Sequence, residues 1–206
     1  NVDCSAAQLL QFAVMGGELF GAMYPRNSQP RIGLLNVGTE DIKGGSVIKE
    51  AHHLLQQSPL NFVGNVEGNA VFSGEVDVVV ADGFTGNAVL KAIEGAVKFI
   101  GGIIREEFSR NWLNKLAALL ALPTLRGFKN RLDPRKFNGA IFLGLRGIVI
   151  KSHVGADVEA FKYALLEAYH EVESDSMAKI EQGIATQMAR LTAAAEQTQT
   201  VTNPAE

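Results

Sequence analysis

Three or four times along the chain a short apolar run ends in a polar, glycine-bearing loop, and a helical pattern follows. That repetition allows few folds. Strands joined through helices pair in parallel, and a parallel sheet needs helices over its faces. The strand-like runs are residues 31–36, 61–63, 76–81 and 147–152. Apolar residues recur at steps of three and four over about 5–24, 46–57, 86–110 and 157–191, which predicts helices there. Ser5 and Asp157 stand where N-caps belong. The expected fold is α/β, with a largely parallel sheet and flanking helices. Residues 1–191 read as one α/β domain, in which 110–136 form a basic amphipathic helical insertion, and 192–206 read as a polar tail.

Composition narrows the function classes. With 47% hydrophobic and 20% charged residues the chain is an ordinary globular protein rather than a disordered one. A net charge of -3 argues against nucleic acid as a partner. The single cysteine, Cys4, excludes an internal disulfide framework and a cysteine-rich zinc site, and suits the cytoplasm. His52 and His53 have no cysteine or carboxylate at ligand spacing, so no metal and no cofactor are expected. No apolar run approaches the ~18 residues of a membrane span, and no signal peptide is visible. The chain opens Asn1-Val2-Asp3-Cys4 without a methionine, which reads as a fragment or a processed product.

Ligands of parallel sheets sit at the carboxyl ends of the strands, and four polar segments fall there. In Asp82-Gly83-Phe84-Thr85-Gly86-Asn87 a strand meets a long helix. The unpaired N–H groups and positive dipole end of a first helical turn suit a phosphate, with Gly83 and Gly86 allowing close approach and Thr85 and Asn87 adding donors. The competing reading is an N-cap with a tight turn. In Asn36-Val37-Gly38-Thr39-Glu40-Asp41-Ile42-Lys43-Gly44, Lys43 is a compact cation within reach of a phosphate or carbonyl oxygen, or else a solvated loop lysine. Asn65 and Glu67, in Gly64-Asn65-Val66-Glu67-Gly68, orient a ligand or form a turn. His153 follows Ser152 at the exit of the last strand-like run and is an acid–base candidate or a surface residue.

Taken together, Arg31 to Gly44, Asn61 to Gly68, Gly74 to Lys91 and Asn138 to Leu145, continuing to His153, resemble the bacterial phosphate acyltransferase family in order, spacing and wording, over about residues 1–180. The resemblance implies a fold similar to phosphotransacetylase and the isocitrate dehydrogenase-like group. It implies acyl transfer from acyl-acyl carrier protein to inorganic phosphate, giving acyl phosphate for the acylation of glycerol 3-phosphate in phospholipid synthesis. It also implies a homodimer at the inner face of the membrane, beside the downstream glycerol-3-phosphate acyltransferase. Family chains carry a further N-terminal stretch with a glycine-rich Asp-Ala-Met-Gly-Gly-Asp motif, so the chain reads as the C-terminal part, with much of the cleft outside it and weak or absent activity of its own. The alternatives are a phosphate acetyl- or butyryltransferase using coenzyme A, an inactive dimerisation and membrane-docking lobe, and an NAD-linked dehydrogenase of the same fold group.

The chemistry implied is attack of a phosphate oxygen on a thioester carbonyl, which needs an anion cradle, donors for the oxyanion and positioning of two substrates. From chemistry and position, Thr85, Gly86 and Asn87 are the expected cradle and Asp82 orients the nucleophile or accepts its proton. Lys43 or His153 stabilises the oxyanion or protonates the leaving thiolate. Residues 110–136 hold seven basic residues, Asp133 as the single acid, and an apolar set from Trp112 to Phe128. Pro123 is expected to divide them into two short helices. Trp112, Lys115, Leu116, Leu119, Leu120, Arg126 and Lys129 suit an anionic lipid surface or the acidic carrier protein. The competing reading buries the helices at a dimer interface.

Overall fold

The structure is a computed structural model. It describes residues 2–202 except Ser28, Leu132, Arg146 and Asp175, and leaves out the side chains of Lys129, Pro134, Phe137, Ser174, Ser176, Lys179, Leu191 and residues 194–202. The chain divides into two units. One comprises Asn1–Gly86, Leu143–Ile148 and Glu171–Glu206, the other Asn87–Phe142 and Val149–His170.

The first unit is built on a sheet. Helix α1 (Ala6–Met23) starts at a capping box: Ser5 Oγ accepts the Gln8 N–H and Gln8 Oε1 accepts the Ser5 N–H. Strand β1 (Ile32–Leu35) is buried throughout, as an all-apolar run should be in the middle of a parallel sheet. Helix α2 (Ser46–Gln56) returns the chain to β2 (Phe62–Val66), parallel to β1. Strand β3 (Val78–Val80) pairs with the other side of β1, also in parallel, giving the order β2-β1-β3. Leu9 and Ala13 of α1, Ile32 and Leu34 of β1, Ala51 and Leu55 of α2, and Val80 of β3 form the core. Helix α1 also packs on α6 (Ser176–Thr202). At the amino edge of the sheet Arg31 clamps Asp77, donating its N–H at 2.8 Å, Nε at 3.0 Å and Nη2 at 2.9 Å. The Arg31 hydrogen bonds hold the Asp77 carboxyl at about 2.

Helix α3 (Gly83–Ser109) begins in the first unit and runs into the second, which also holds α4 (Trp112–Arg131), β4 (Ala140–Ile141), β5 (Ile150–Lys151) and the start of α5 (Val158–Ser174). Asp157 caps α5, accepting the Ala160 N–H at 2.8 Å. Two expectations change here. The run at 147–152 does not join the parallel sheet; Ile150 and Lys151 pair antiparallel with Ala140 and Ile141. Only residues 142–149 separate the two strands, and a parallel crossover needs a dozen or more. Pro123 does not divide 112–131, which is one helix with the proline inside it. The ring forfeits the backbone hydrogen bond to the Leu119 carbonyl, but Leu119 is exposed, so water reaches the freed group, and the Leu- and Ala-rich sequence carries the helix through. The residues read as a polar tail are helical as far as Thr202, while 203–206 lie outside the described residues.

Candidate functional site

Because β1, β2 and β3 are parallel, their three exits lie on one edge of the sheet. The chain leaves β1 for β2 on one side and later reaches β3 on the other, so the strand order reverses at β1. That is where open parallel sheets form a crevice. The segments containing Asn36, Gly38 and Lys43, then Asn65 and Glu67, then Asp82 to Gly86, are brought to this edge together.

The first loop is held by its own asparagine. Asn36 Oδ1 accepts the Val37 N–H at 2.8 Å and Asn36 Nδ2 donates to the Lys43 carbonyl at 3.2 Å, closing the turn. Gly44 has φ +85°, and a Cβ there would strike the Asn36 side chain, so the turn needs glycine twice over. A Cβ on Gly38 would crowd Glu40 and Lys43. Asn36 and Gly38 thus shape the loop. Lys43 is exposed, and its Nζ has no hydrogen-bond or ion-pair partner among the described residues.

Asn65, read above as a ligand contact, is buried, and both ends of its amide are taken by the protein. Its Oδ1 lies 3.1 Å from His52 Nδ1 and its Nδ2 donates to the Glu40 carbonyl at 3.3 Å. Glu67 is half-buried at the start of a short 3-10 helix, Gly68–Phe72, and makes no side-chain cap there.

At the third exit Asp82 is the cap of α3. Thr85 donates its N–H to Asp82 Oδ1 at 2.7 Å and its hydroxyl to Oδ2 at 2.7 Å. Burial pushes the Asp82 carboxyl up, but the hydrogen bonds from Thr85 and Phe84 outweigh it and hold the group below the usual carboxylate range. The carboxylate therefore stands where an anion would meet the first turn, and Thr85 is committed to it. Gly83 is exposed and Gly86 half-buried; Asn87, also exposed, opens the second unit.

His153 lies in that second unit. Its Nδ1 lies 3.1 Å from the Gly155 N–H and its Nε2 3.4 Å from Lys91 Nζ; both neighbours are donors, and a neutral ring accepts from one of them. Lys91 is paired with Glu94 at 2.9 Å, and that hydrogen bond lowers the Glu94 pKa. Ser152, His153, Ala156, Asp157, Val158 and Phe161 line a cleft of about 420 Å³. Asn138 holds the turn. Its Oδ1 accepts the His153 N–H at 2.8 Å, and its Nδ2 donates to Ser152 Oγ at 2.9 Å and the Ala160 carbonyl at 2.8 Å. Sequence reading assigned Asn138 no role, although an Asn-Gly pair before a strand is a turn signal.

On α4 the apolar set faces outward within the single chain. Trp112 is 72% and Leu120 78% exposed, with Leu113, Leu116 and Leu119 exposed beside them. Lys115 and Arg126 are exposed on the same helix; the Lys129 side chain is outside the described residues. None of the described helices is long and apolar enough to cross a membrane.

Fold and site define an α/β protein of the kind that takes a small ligand at the carboxyl edge of a parallel sheet. A sequence profile described as "Fatty acid synthesis protein" matches residues 1–179, and the chain belongs to that family. It is 63% identical over 198 residues to a protein of Neisseria gonorrhoeae named phosphate acyltransferase, covering 96% of this chain and 57% of that protein. Proteins of the same name from Chromobacterium violaceum and Bordetella parapertussis are 52% and 55% identical over 93% and 90% of this chain, and 55% and 52% of their own lengths. The chain thus spans a little over half the length of the curated relatives it matches.

Proposed function

We infer that the chain serves as part of a phosphate acyltransferase of phospholipid synthesis, moving an acyl group from acyl-acyl carrier protein to inorganic phosphate. The reading is carried by three loops at one edge of a parallel sheet, in a chain 63% identical to a phosphate acyltransferase. In the reaction a phosphate oxygen attacks the thioester carbonyl, a C–O bond forms, the C–S bond breaks, and the carrier thiolate takes up a proton. Phosphate arrives largely ionised and needs countercharge more than a strong base. Lys43, exposed and without a partner among the described residues, supplies it. Asp82 organises the start of α3 rather than accepting a proton, since its lowered pKa makes it a weak base. Gly83 and Gly86 leave room beside it, Glu67 faces the same edge, and Asn87 remains a donor on the next turn. His153, in its imidazolium form, is assigned the proton for the leaving thiolate on its chemistry.

The exposed apolar residues of α3 and α4 support association with a second copy and with an anionic membrane surface, in the cytoplasm at its inner face. Helix α3 has 27 residues and none is fully buried, so its apolar stripe is at most half-covered within the chain. Docking of the acidic carrier protein on Lys115 and Arg126 is the competing use of α4. Delivery of acyl phosphate to a glycerol-3-phosphate acyltransferase belongs to the same reading.

The test is phosphate-dependent release of carrier thiol from palmitoyl-carrier protein, with acyl phosphate trapped by hydroxylamine. It is run with the chain and with the chain joined to the remaining length of its Neisseria relative. Acyl phosphate in either arm supports the reading. Faster turnover of acetyl- or butyryl-coenzyme A transfers the assignment to the coenzyme A enzymes, and no phosphate-dependent release in both arms overturns it.

A further inference from the structure

His52 is a buried ionisable side chain that the proposed mechanism does not use. It projects from α2, 5% exposed, with its ring edge-on to Phe62, centroids 5.1 Å apart. Its two nitrogens face different neighbours. Nδ1 lies 3.1 Å from Asn65 Oδ1. The orientation of the Asn65 amide follows from its other end, where only an N–H can meet the Glu40 carbonyl. Nδ1 therefore carries a hydrogen and donates it. Nε2 is buried, has no hydrogen-bond partner in line, and lies 3.2 Å from Asp41 Oδ1. The Asp41 side chain is 71% exposed, free to take that position or to leave it.

With Nδ1 already a donor, a neutral ring presents a lone pair to a carboxylate, which is repulsive; a protonated ring presents an N–H and a charge, which is attractive. Other charged groups are placed elsewhere. From β2, Asn65 and Phe62 meet the ring, both uncharged, and Glu40 meets Asn65 through its backbone carbonyl. On α2 itself Lys49 and Glu50 are exposed and His53 is bonded to Gln57 at 3.2 Å. On α1, which packs on α2, Glu18 lies against Gly183 of α6. Asp41 is the carboxylate that the ring meets.

We propose that His52 is a positioning residue for the loop between β1 and α2: its protonated ring draws Asp41 to itself, so that Lys43, two residues on, is left to a phosphate anion. An Asp41 carboxylate released from His52 competes with phosphate for the Lys43 ammonium. The loop is then anchored in two ways. The Asn65–Glu40 and Asn36–Lys43 bonds hold it at any pH, and the Asp41 contact holds when His52 is charged. The phosphate part rests on the function inferred above; the anchoring does not.

The test is a pH titration of the 206-residue chain by long-range imidazole and backbone amide NMR. His52→Asn identifies the ring signal among the four histidines. The neutral ring is expected in its Nδ1–H form, with the amides of Thr39 to Lys43 moving along the same curve as the ring. Asp41→Asn, an exposed and mild change, is expected to abolish that loop response. A ring in the Nε2–H form, or one that titrates while the loop amides stay still, overturns the proposal. Inorganic phosphate is then titrated against the loop amides on the acid side of that curve, where the ring is charged. Severalfold weaker binding in His52→Asn, restored in His52→Asn/Asp41→Asn, is the expected signature of a competing carboxylate, which loss of packing alone would not produce; weaker binding without that rescue overturns the competition. If phosphate leaves the wild-type loop unmoved while the ring still moves it, the phosphate reading of this edge fails and the anchoring stands.

Discussion

Replacing Asp77 by asparagine tests the clamp that sets β1 against β3, at the end of the sheet away from the loops. The Arg31 side chain, then its backbone N–H, lower the Asp77 pKa from 3.8 to about 2. At 1.36 kcal/mol per unit, that shift corresponds to about 2.5 kcal/mol. Arg31 is 43% exposed and screened by solvent, which reduces the contribution to roughly 1 kcal/mol. The folded-state value lies below the unfolded one. The contribution is therefore present in full above about pH 4 and is lost as pH falls through about 2. Amide exchange of Ile32 to Leu35 reads the opening of the sheet unit itself. The expectation is that Asp77→Asn lowers protection by roughly 1 kcal/mol near neutral pH, with the gap from wild type closing toward pH 2. The amides of the loop between β1 and α2 should keep their positions, since the substitution lies at the opposite edge. An offset that is the same at both pH values would refute the ion-pair argument and leave a neutral hydrogen-bond effect.

Three further outcomes are expected. Asp82→Ala removes the cap of α3 and should cost about 1 kcal/mol in thermal unfolding, whereas Asp82→Asn keeps an acceptor for the Thr85 N–H and should cost less; a loss in turnover for Asn as large as for Ala, despite the kept cap, would mean that the charge acts in the reaction. Asn138→Ala leaves the His153 N–H without its partner and removes the bond to the Ala160 carbonyl, and should destabilise the second unit by about 1–3 kcal/mol; amide exchange of Ile141 and Ile150 follows that unit. Wild-type chain should float with anionic vesicles and Leu119→Glu/Leu120→Glu should not, because both leucines are exposed on α4; equal flotation would return those leucines to an interface between copies.

Much of the local structure is legible in the residues because its causes are local. Ser5 with Gln8, Asp157 with Ala160, and the three- and four-residue apolar steps mark helices α1, α2 and α5 without reference to anything distant. The all-apolar Ile32–Leu35 announces a strand buried on both faces, and parallel pairing follows from the helix that separates it from the next. The polar loops at the strand ends, and so the edge where a ligand belongs, follow from the same order. What tertiary structure alone decided is how each polar group there is spent. Whether Asn65 meets a ligand depends on His52, thirteen residues away on another element, which takes its oxygen. Whether Asp82 is a base depends on where the Thr85 hydroxyl turns. Ile150 has the composition of a parallel strand, and the short return from Ile141 made it half of a hairpin instead. Periodicity and capping are properties of neighbours along the chain; hydrogen-bond satisfaction and strand pairing are settled only among groups that folding brings together.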